Sequence, residues 1–106
     1  MVVLKNEVWM ANFSPSIGSE INKIRPCLII SPNVANRSLE NVIVAPLTST
    51  LKLYPSRVNC TFMKREGQIM IDQIRSLDKR RLIKPLGTID ESTSKEVYEM
   101  IKIYFK

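Results

Sequence analysis

The chain is expected to be mainly β: a small, mostly antiparallel, curved sheet or barrel, with short helical turns and one helix at the C-terminus. Three observations lead there. Short apolar segments rich in Val, Ile and Phe alternate with turn residues along most of the chain. One longer stretch carries apolar residues at helical spacing, and it comes last. The length of 106 residues suits a single domain, taken here as residues 1–106. A domain of this size buries roughly two-thirds of its unfolded surface and needs no staples.

The elements follow in order. Glu7–Phe13 reads as the first strand, with Trp9, Ala11 and Phe13 on one face and Val8, Met10 and Asn12 on the other. The turn-rich run from Ser14 to Glu20 opens a loop that reaches about Lys23. Arg25–Ser31 is a compact apolar strand with Pro26 near its start, ended by Ser31-Pro32-Asn33. Asn41–Thr48 is β-branched and apolar, and Pro46 suggests a bulge or strand end that would leave Thr48 and Ser49 at a rim. Arg57–Phe62 alternates cleanly, and Gly67–Arg75 reads as one long strand with a polar exit. Leu77–Leu82 is expected to form one helical turn, and Ile83–Thr88 a last short strand. Asp90 is placed to cap a helix over Glu91–Phe105, whose Val97, Met100, Ile101 and Tyr104 would pack on the sheet.

Composition excludes several chemistries. There is no histidine, so no Ser-His-Asp triad, Cys-His dyad or HExxH helix exists. Two cysteines, Cys27 and Cys60, lie in unrelated apolar segments, which suits a reducing cytoplasm better than a disulfide scaffold. Cys27 reads as a small core residue. No run approaches the ~20 apolar residues of a membrane span. The net charge of +6 is uneven, with +1 over residues 1–50, +6 over 51–88 and −1 over 89–106. A basic middle of this kind favours a phosphate-rich or acidic partner.

Three polar clusters interrupt the apolar strands: Gly18-Ser19-Glu20 with Lys23 and Arg25-Pro26, then Pro46-Leu47-Thr48-Ser49, then Asp72-Gln73-Ile74-Arg75. Singly, each has a bland explanation as a turn, a strand end, or an Asp72–Arg75 surface pair worth about 0–1 kcal/mol. Together they are more specific. The order GSE–KxRPCLIIS, VIVAPLTS and IDQIRSLDKRRL, with a short terminal helix after it, resembles the MazF/PemK (Kid-like) toxins of bacterial type II toxin–antitoxin pairs. The resemblance runs from Glu7 to about Phe105.

The resemblance implies an SH3-like β-barrel with a C-terminal helix, usually a homodimer. It also implies a sequence-specific endoribonuclease, an mRNA interferase, that cuts single-stranded RNA without metal or cofactor and leaves 2′,3′-cyclic phosphate and 5′-hydroxyl ends. The catalytic arginine and threonine fall on Arg25 and Thr48. Glu20 and Asp72 match the acidic positions, and Ser19, Lys23, Ser49, Gln73 and Arg75 stand beside them as further catalytic or RNA-contacting candidates. Some members carry an arginine two positions before that aspartate, where this chain has Met70. The implied partner is an antitoxin with an acidic tail that fills the RNA groove.

Internal transesterification needs a base for the 2′-hydroxyl, a stabiliser for charge on phosphorus and a proton for the leaving oxygen. Arg25 suits the second need, because a guanidinium forks onto phosphate oxygens. Thr48 can position the phosphate. The base stays open, with Glu20 the candidate. Lys52, Arg57, Lys64, Arg65, Lys79, Arg80 and Arg81 supply cations for an RNA backbone, and Phe13, Tyr54 and Phe62 are the candidate stacking rings. Base specificity is expected in the loops around residues 14–24 and 49–57. Two other functions fit a barrel of this charge: a gyrase-targeting toxin of the CcdB kind, and a non-catalytic nucleic-acid-binding module.

Overall fold

In the computed structural model, which describes residues 1–14 and 23–106, the chain forms β1 (Glu7–Asn12), β2 (Ile24–Ile29), α1 (Asn33–Ser38) and β3 (Asn41–Thr48). It continues through β4 (Arg57–Phe62), β5 (Arg65–Met70), a 3₁₀ turn (Ile71–Gln73), β6 (Arg75–Asp78) and a second 3₁₀ turn (Lys79–Arg81). It ends in β7 (Leu82–Thr88) and α2 (Glu91–Tyr104). The expected mainly β fold with a terminal helix is what forms.

The strands make one curled antiparallel sheet in the order β4-β5-β3-β2-β1-β7, with β6 also pairing β3. The long apolar β3 organises it. One edge pairs with β2 through Val44, Ala45 and Pro46, while the other pairs with β6 at its start and with β5 at Leu47 and Thr48. Pro46 sits in unbroken register opposite Cys27, and on the opposite edge it falls between the β6 and β5 ladders. That gap lets a proline occupy a central strand without the expected bulge. The two ends of the sheet meet through side chains: a Cβ on Gly87 of β7 would stand 3.3 Å from Cζ of Phe62 of β4.

Alternation along each strand fills both faces of the sheet. Trp9, Ala11, Phe13, Cys27, Ile29, Val42 and Val44 pack one core. Val8, Leu28, Ala45, Leu47, Ile69 and Val97 pack the other, which α2 covers. Asp90 caps α2 as expected, accepting from the Thr93 backbone N–H at 3.1 Å and from its hydroxyl at 2.7 Å. Those bonds hold the Asp90 carboxyl below its ordinary range.

Four expectations change. Gly67–Arg75 is not one strand: it breaks at the Ile71–Gln73 turn, which lets the chain step from the β5 ladder to the β6 ladder on the same edge of β3. Leu77–Leu82 is likewise divided, its helical turn confined to Lys79–Arg81. Helix α1 was not foreseen, because six residues carry no readable period; buried Asn36 ties it to Ser31, whose hydroxyl it accepts from at 2.6 Å. Tyr104 is half exposed at the end of α2, where the sheet below has run out, so the packing face of the helix stops short of it.

Candidate active site

The β2–β3 ladder ends at Cys27 opposite Pro46, and the same register extended two pairs further sets Arg25 opposite Thr48. Two residues 23 positions apart thus meet because two apolar strands pair, not because they share a motif. Both line an open cleft of about 550 Å³, a size in the usual range of about 300–1,000 Å³ for ligand clefts. Its polar lining adds Ser49, Arg65 and Glu66. Its apolar lining comes from Met10, Pro26, Leu47, Phe62, Met63 and Leu86.

Arg25 is half-buried, and its Nε is buried without a hydrogen-bond partner among the described residues. A buried donor left unmade costs about 1–3 kcal/mol, which an incoming oxyanion would recover. Thr48 is held more firmly. Its Oγ1 accepts from the Thr50 backbone N–H at 3.1 Å, which leaves the hydroxyl proton to be donated outward. Across the ladder, Gln68 is its partner. Gln68 is 5% exposed, accepts from the Lys52 N–H at 3.0 Å, and donates to the Lys52 carbonyl at 2.8 Å and to Asn59 Oδ1 at 2.9 Å. The loop that follows Thr48 is therefore pinned at Lys52. Gly67 permits the close approach, since a Cβ there would stand 2.7 Å from the Thr48 carbonyl oxygen.

The structure distributes the other candidates unevenly. Ser19 and Glu20 lie outside the described residues. Lys23 is exposed, with φ 99°, and its N–H donates to Ser14 Oγ at 3.2 Å. Asp72 does not pair with Arg75. Its carboxylate instead takes Arg57 Nε at 2.9 Å and the Ser56 hydroxyl at 3.0 Å. Arg57 is 9% exposed and lies under the Tyr54 ring, 4.9 Å from its centroid, so this pair braces the base of β4. Gln73 is half-buried in the 3₁₀ turn, and Arg75 lies 5.9 Å from the centroid of the Phe13 ring.

The basic run divides as well. Lys79 donates to the Asn36 carbonyl, and Arg81 donates to the carbonyls of Asn12 and Ser14 at the end of β1. Arg80 is exposed and forks onto Asp78, whose carboxyl its hydrogen bonds lower to about 2. Lys52 is exposed. Among the candidate stacking rings Phe13 is fully buried and offers no platform, Tyr54 is half exposed, and Phe62 lines the cleft. Burial pushes the Cys27 thiol up to about 12, as befits a core residue. Cys60 at the cleft is raised by burial first and by Asp90 second.

Sequence reasoning missed Glu66, Gln68 and Met63. Glu66 is the carboxylate that lines the cleft among the described residues. Its signal is the tract Arg65-Glu66-Gly67, a carboxylate beside a glycine at the start of β5.

Comparison with known proteins agrees with this fold. Residues 5–105 match the family described as PemK-like, MazF-like toxin of type II toxin-antitoxin system. The chain is 31% identical over 109 aligned residues to Endoribonuclease EndoA of Bacillus subtilis, covering 97% of this chain and 94% of that one. The fold superposes on crystalline MazF from Deinococcus radiodurans with a TM-score of 0.89 at 28% identity, covering 99% of this chain and 97% of that one. It superposes on a MazE-MazF complex from the same organism with a TM-score of 0.81 at 28% identity, covering 99% and 96%. The chain belongs to the PemK-like, MazF-like toxin family.

Proposed function

We infer that this chain is the endoribonuclease toxin of a type II toxin–antitoxin pair and that it cuts single-stranded messenger RNA by metal-independent transesterification. The observation that carries this is the meeting of Arg25 and Thr48 in one cleft, with an unpartnered guanidinium nitrogen on one residue and a pre-oriented hydroxyl on the other. The relatives named endoribonucleases support the activity and disfavour a gyrase-targeting or purely binding role.

The reaction is written on the RNA itself. The 2′-oxygen attacks the adjacent phosphorus, the bond from phosphorus to the 5′-oxygen breaks, and a 2′,3′-cyclic phosphate and a 5′-hydroxyl form. Arg25 neutralises the charge that gathers on the non-bridging oxygens and carries a proton near the leaving oxygen. Thr48 donates to a phosphoryl oxygen and fixes the phosphate. A carboxylate takes the 2′-hydroxyl proton; Glu66 stands in the cleft, and Glu20 is the second candidate. Lys52 and Arg65 face the backbone, while Arg57 and Asp72 serve the fold.

The toxin works as a homodimer in the cytoplasm and is silenced by an acidic antitoxin segment, for which its +6 charge is suited. The structure of a MazE-MazF complex supports such a partner, and among the described residues no helix is long and apolar enough to cross a membrane. Incubation with a long single-stranded RNA in EDTA, followed by mapping of the fragment ends, tests the chemistry. Discrete cuts with cyclic-phosphate ends are expected. Cutting only after magnesium is added, with 5′-phosphate ends, contradicts it.

A further inference from the structure

The β4–β5 hairpin turns on Met63 and Lys64, at φ 51° and 63°. Two consecutive residues at positive φ define the tight turn that Asn-Gly or Gly-Gly normally supplies, and a methionine there is strained. Nothing in the turn rewards that choice, since the Met63 side chain is 65% exposed. A residue kept in an unfavourable backbone conformation, with its apolar side chain largely out of the core, points to work done by the side chain.

Its surroundings say what work. Met63 lines the same cleft as Arg25 and Thr48, with Phe62, Met10 and Leu86 completing an apolar surface and Arg65 contributing a cation. Phe62 is held in place because Gly87 leaves it room. A phosphate seated at Arg25 and Thr48 carries a sugar and a base on either side, and an apolar surface in the same cleft suits the flat face of one of those bases. Methionine is well suited to this, being polarizable and adaptable against an aromatic face.

We propose that Met63, with Phe62 in the same cleft wall, forms a shelf that stacks a nucleobase adjoining the scissile phosphate, making this hairpin a determinant of cleavage specificity beyond the two loops where specificity was expected. The proposal rests on the ribonuclease reading above. It has an unusual signature, because stability and RNA affinity must move in opposite directions. Met63→Gly and Met63→Asn relieve the backbone and remove the shelf. Met63→Leu keeps the shelf and the strain.

The experiment measures thermal midpoints, steady-state cleavage of one single-stranded RNA and the mapped cut sites for wild type and these three variants. Met63→Gly and Met63→Asn are expected to melt at or above the wild-type temperature and to raise KM about tenfold, with relaxed base preference beside the cut and kcat nearly unchanged. Met63→Leu is expected to keep the wild-type KM and cut pattern. Wild-type cleavage with unchanged KM and cut sites in all three variants overturns the shelf and leaves the ribonuclease standing. Absence of cleavage by wild type overturns both.

Discussion

A guanidinium and a hydroxyl carry the proposed chemistry, and each should fail in its own way. Removing a group that stabilises transition-state charge costs about 10²–10³ in rate. Arg25→Ala is therefore expected to lose cleavage by that factor or more while melting normally. Thr48→Ala should lose comparably, and Thr48→Ser should recover much of the loss, because serine keeps the oxygen that Thr50 binds and the proton to donate. Glu66→Gln and Glu20→Gln identify the base: the one that acts should slow single-turnover cleavage and flatten the acid limb of its pH profile, and the other should do neither. At this scale the sequence pointed to Arg25 and Thr48 through the family resemblance of the motifs that hold them, since a polar residue at a strand end is by itself unremarkable. It was silent about Gln68. A glutamine in an apolar run has no readable partner until the ladder sets it across from Thr48 and beside Lys52. It was misleading about Arg57 and Phe13, because a basic residue and a ring look the same in sequence whether exposed or buried.

At the scale of elements, the junction of β3 with β5 decides whether the site is in line. The clash that a methyl at Gly67 would make is with backbone, which cannot swing aside. Gly67→Ala is expected to cost about 1–3 kcal/mol in denaturant unfolding and to lower kcat more than it raises KM, because it displaces Thr48. Gln68→Leu would remove both bonds to the Lys52 backbone, and because Lys52 is exposed and water can replace them the cost should be about 1 kcal/mol. Asp72→Ala would strand Arg57, which is nearly buried, and should cost about 2 kcal/mol, discounted from the fully buried case because Asp72 keeps some water contact. Helix α2 adds a pH dependence. The Asp90 carboxyl is depressed by its bonds to Thr93, so its contribution is complete above the ordinary carboxylate range and is lost as pH falls from there through the lower folded-state value. Helical circular dichroism should show wild type losing thermal midpoint on acidification more steeply than Asp90→Asn, which caps without a charge. The strands were legible because alternation and β-branching dominate them. The break after Met70 was not, since the apolar run Ile69-Met70-Ile71 and the polar residues after it read as one strand with a polar exit, and the chain turns where β3 offers β6 a second place to pair.

The whole molecule carries a net charge of +6, a balance that suits the proposed polyanionic substrate. Nine cations against three anions lie in residues 51–88, but the fold employs several of them: Arg57 with Asp72, Arg80 with Asp78, and Lys79 and Arg81 on backbone carbonyls. The salt dependence of RNA binding should accordingly be shallower than the formal charge suggests. A 2′-O-methyl RNA, which can bind but cannot be cut, is expected to lose affinity with rising salt at a slope corresponding to a few phosphates, about three to five, rather than nine. The order of three motifs and the helix after them made the family resemblance visible along nearly the whole chain, and the charge distribution only favoured a phosphate-rich or acidic partner. Which cations remain available for RNA was visible only after the chain had folded and used the others.

Metal-independent cleavage of single-stranded RNA is proposed to depend on Arg25 in this cleft. The direct measurement compares wild type with Arg25→Ala, both shown folded by their melting curves, on one long RNA in EDTA with every fragment end identified. Discrete wild-type cuts with 2′,3′-cyclic phosphate ends are expected, and these should be lost in the variant. Cleavage by Arg25→Ala at the same sites and rate would contradict it.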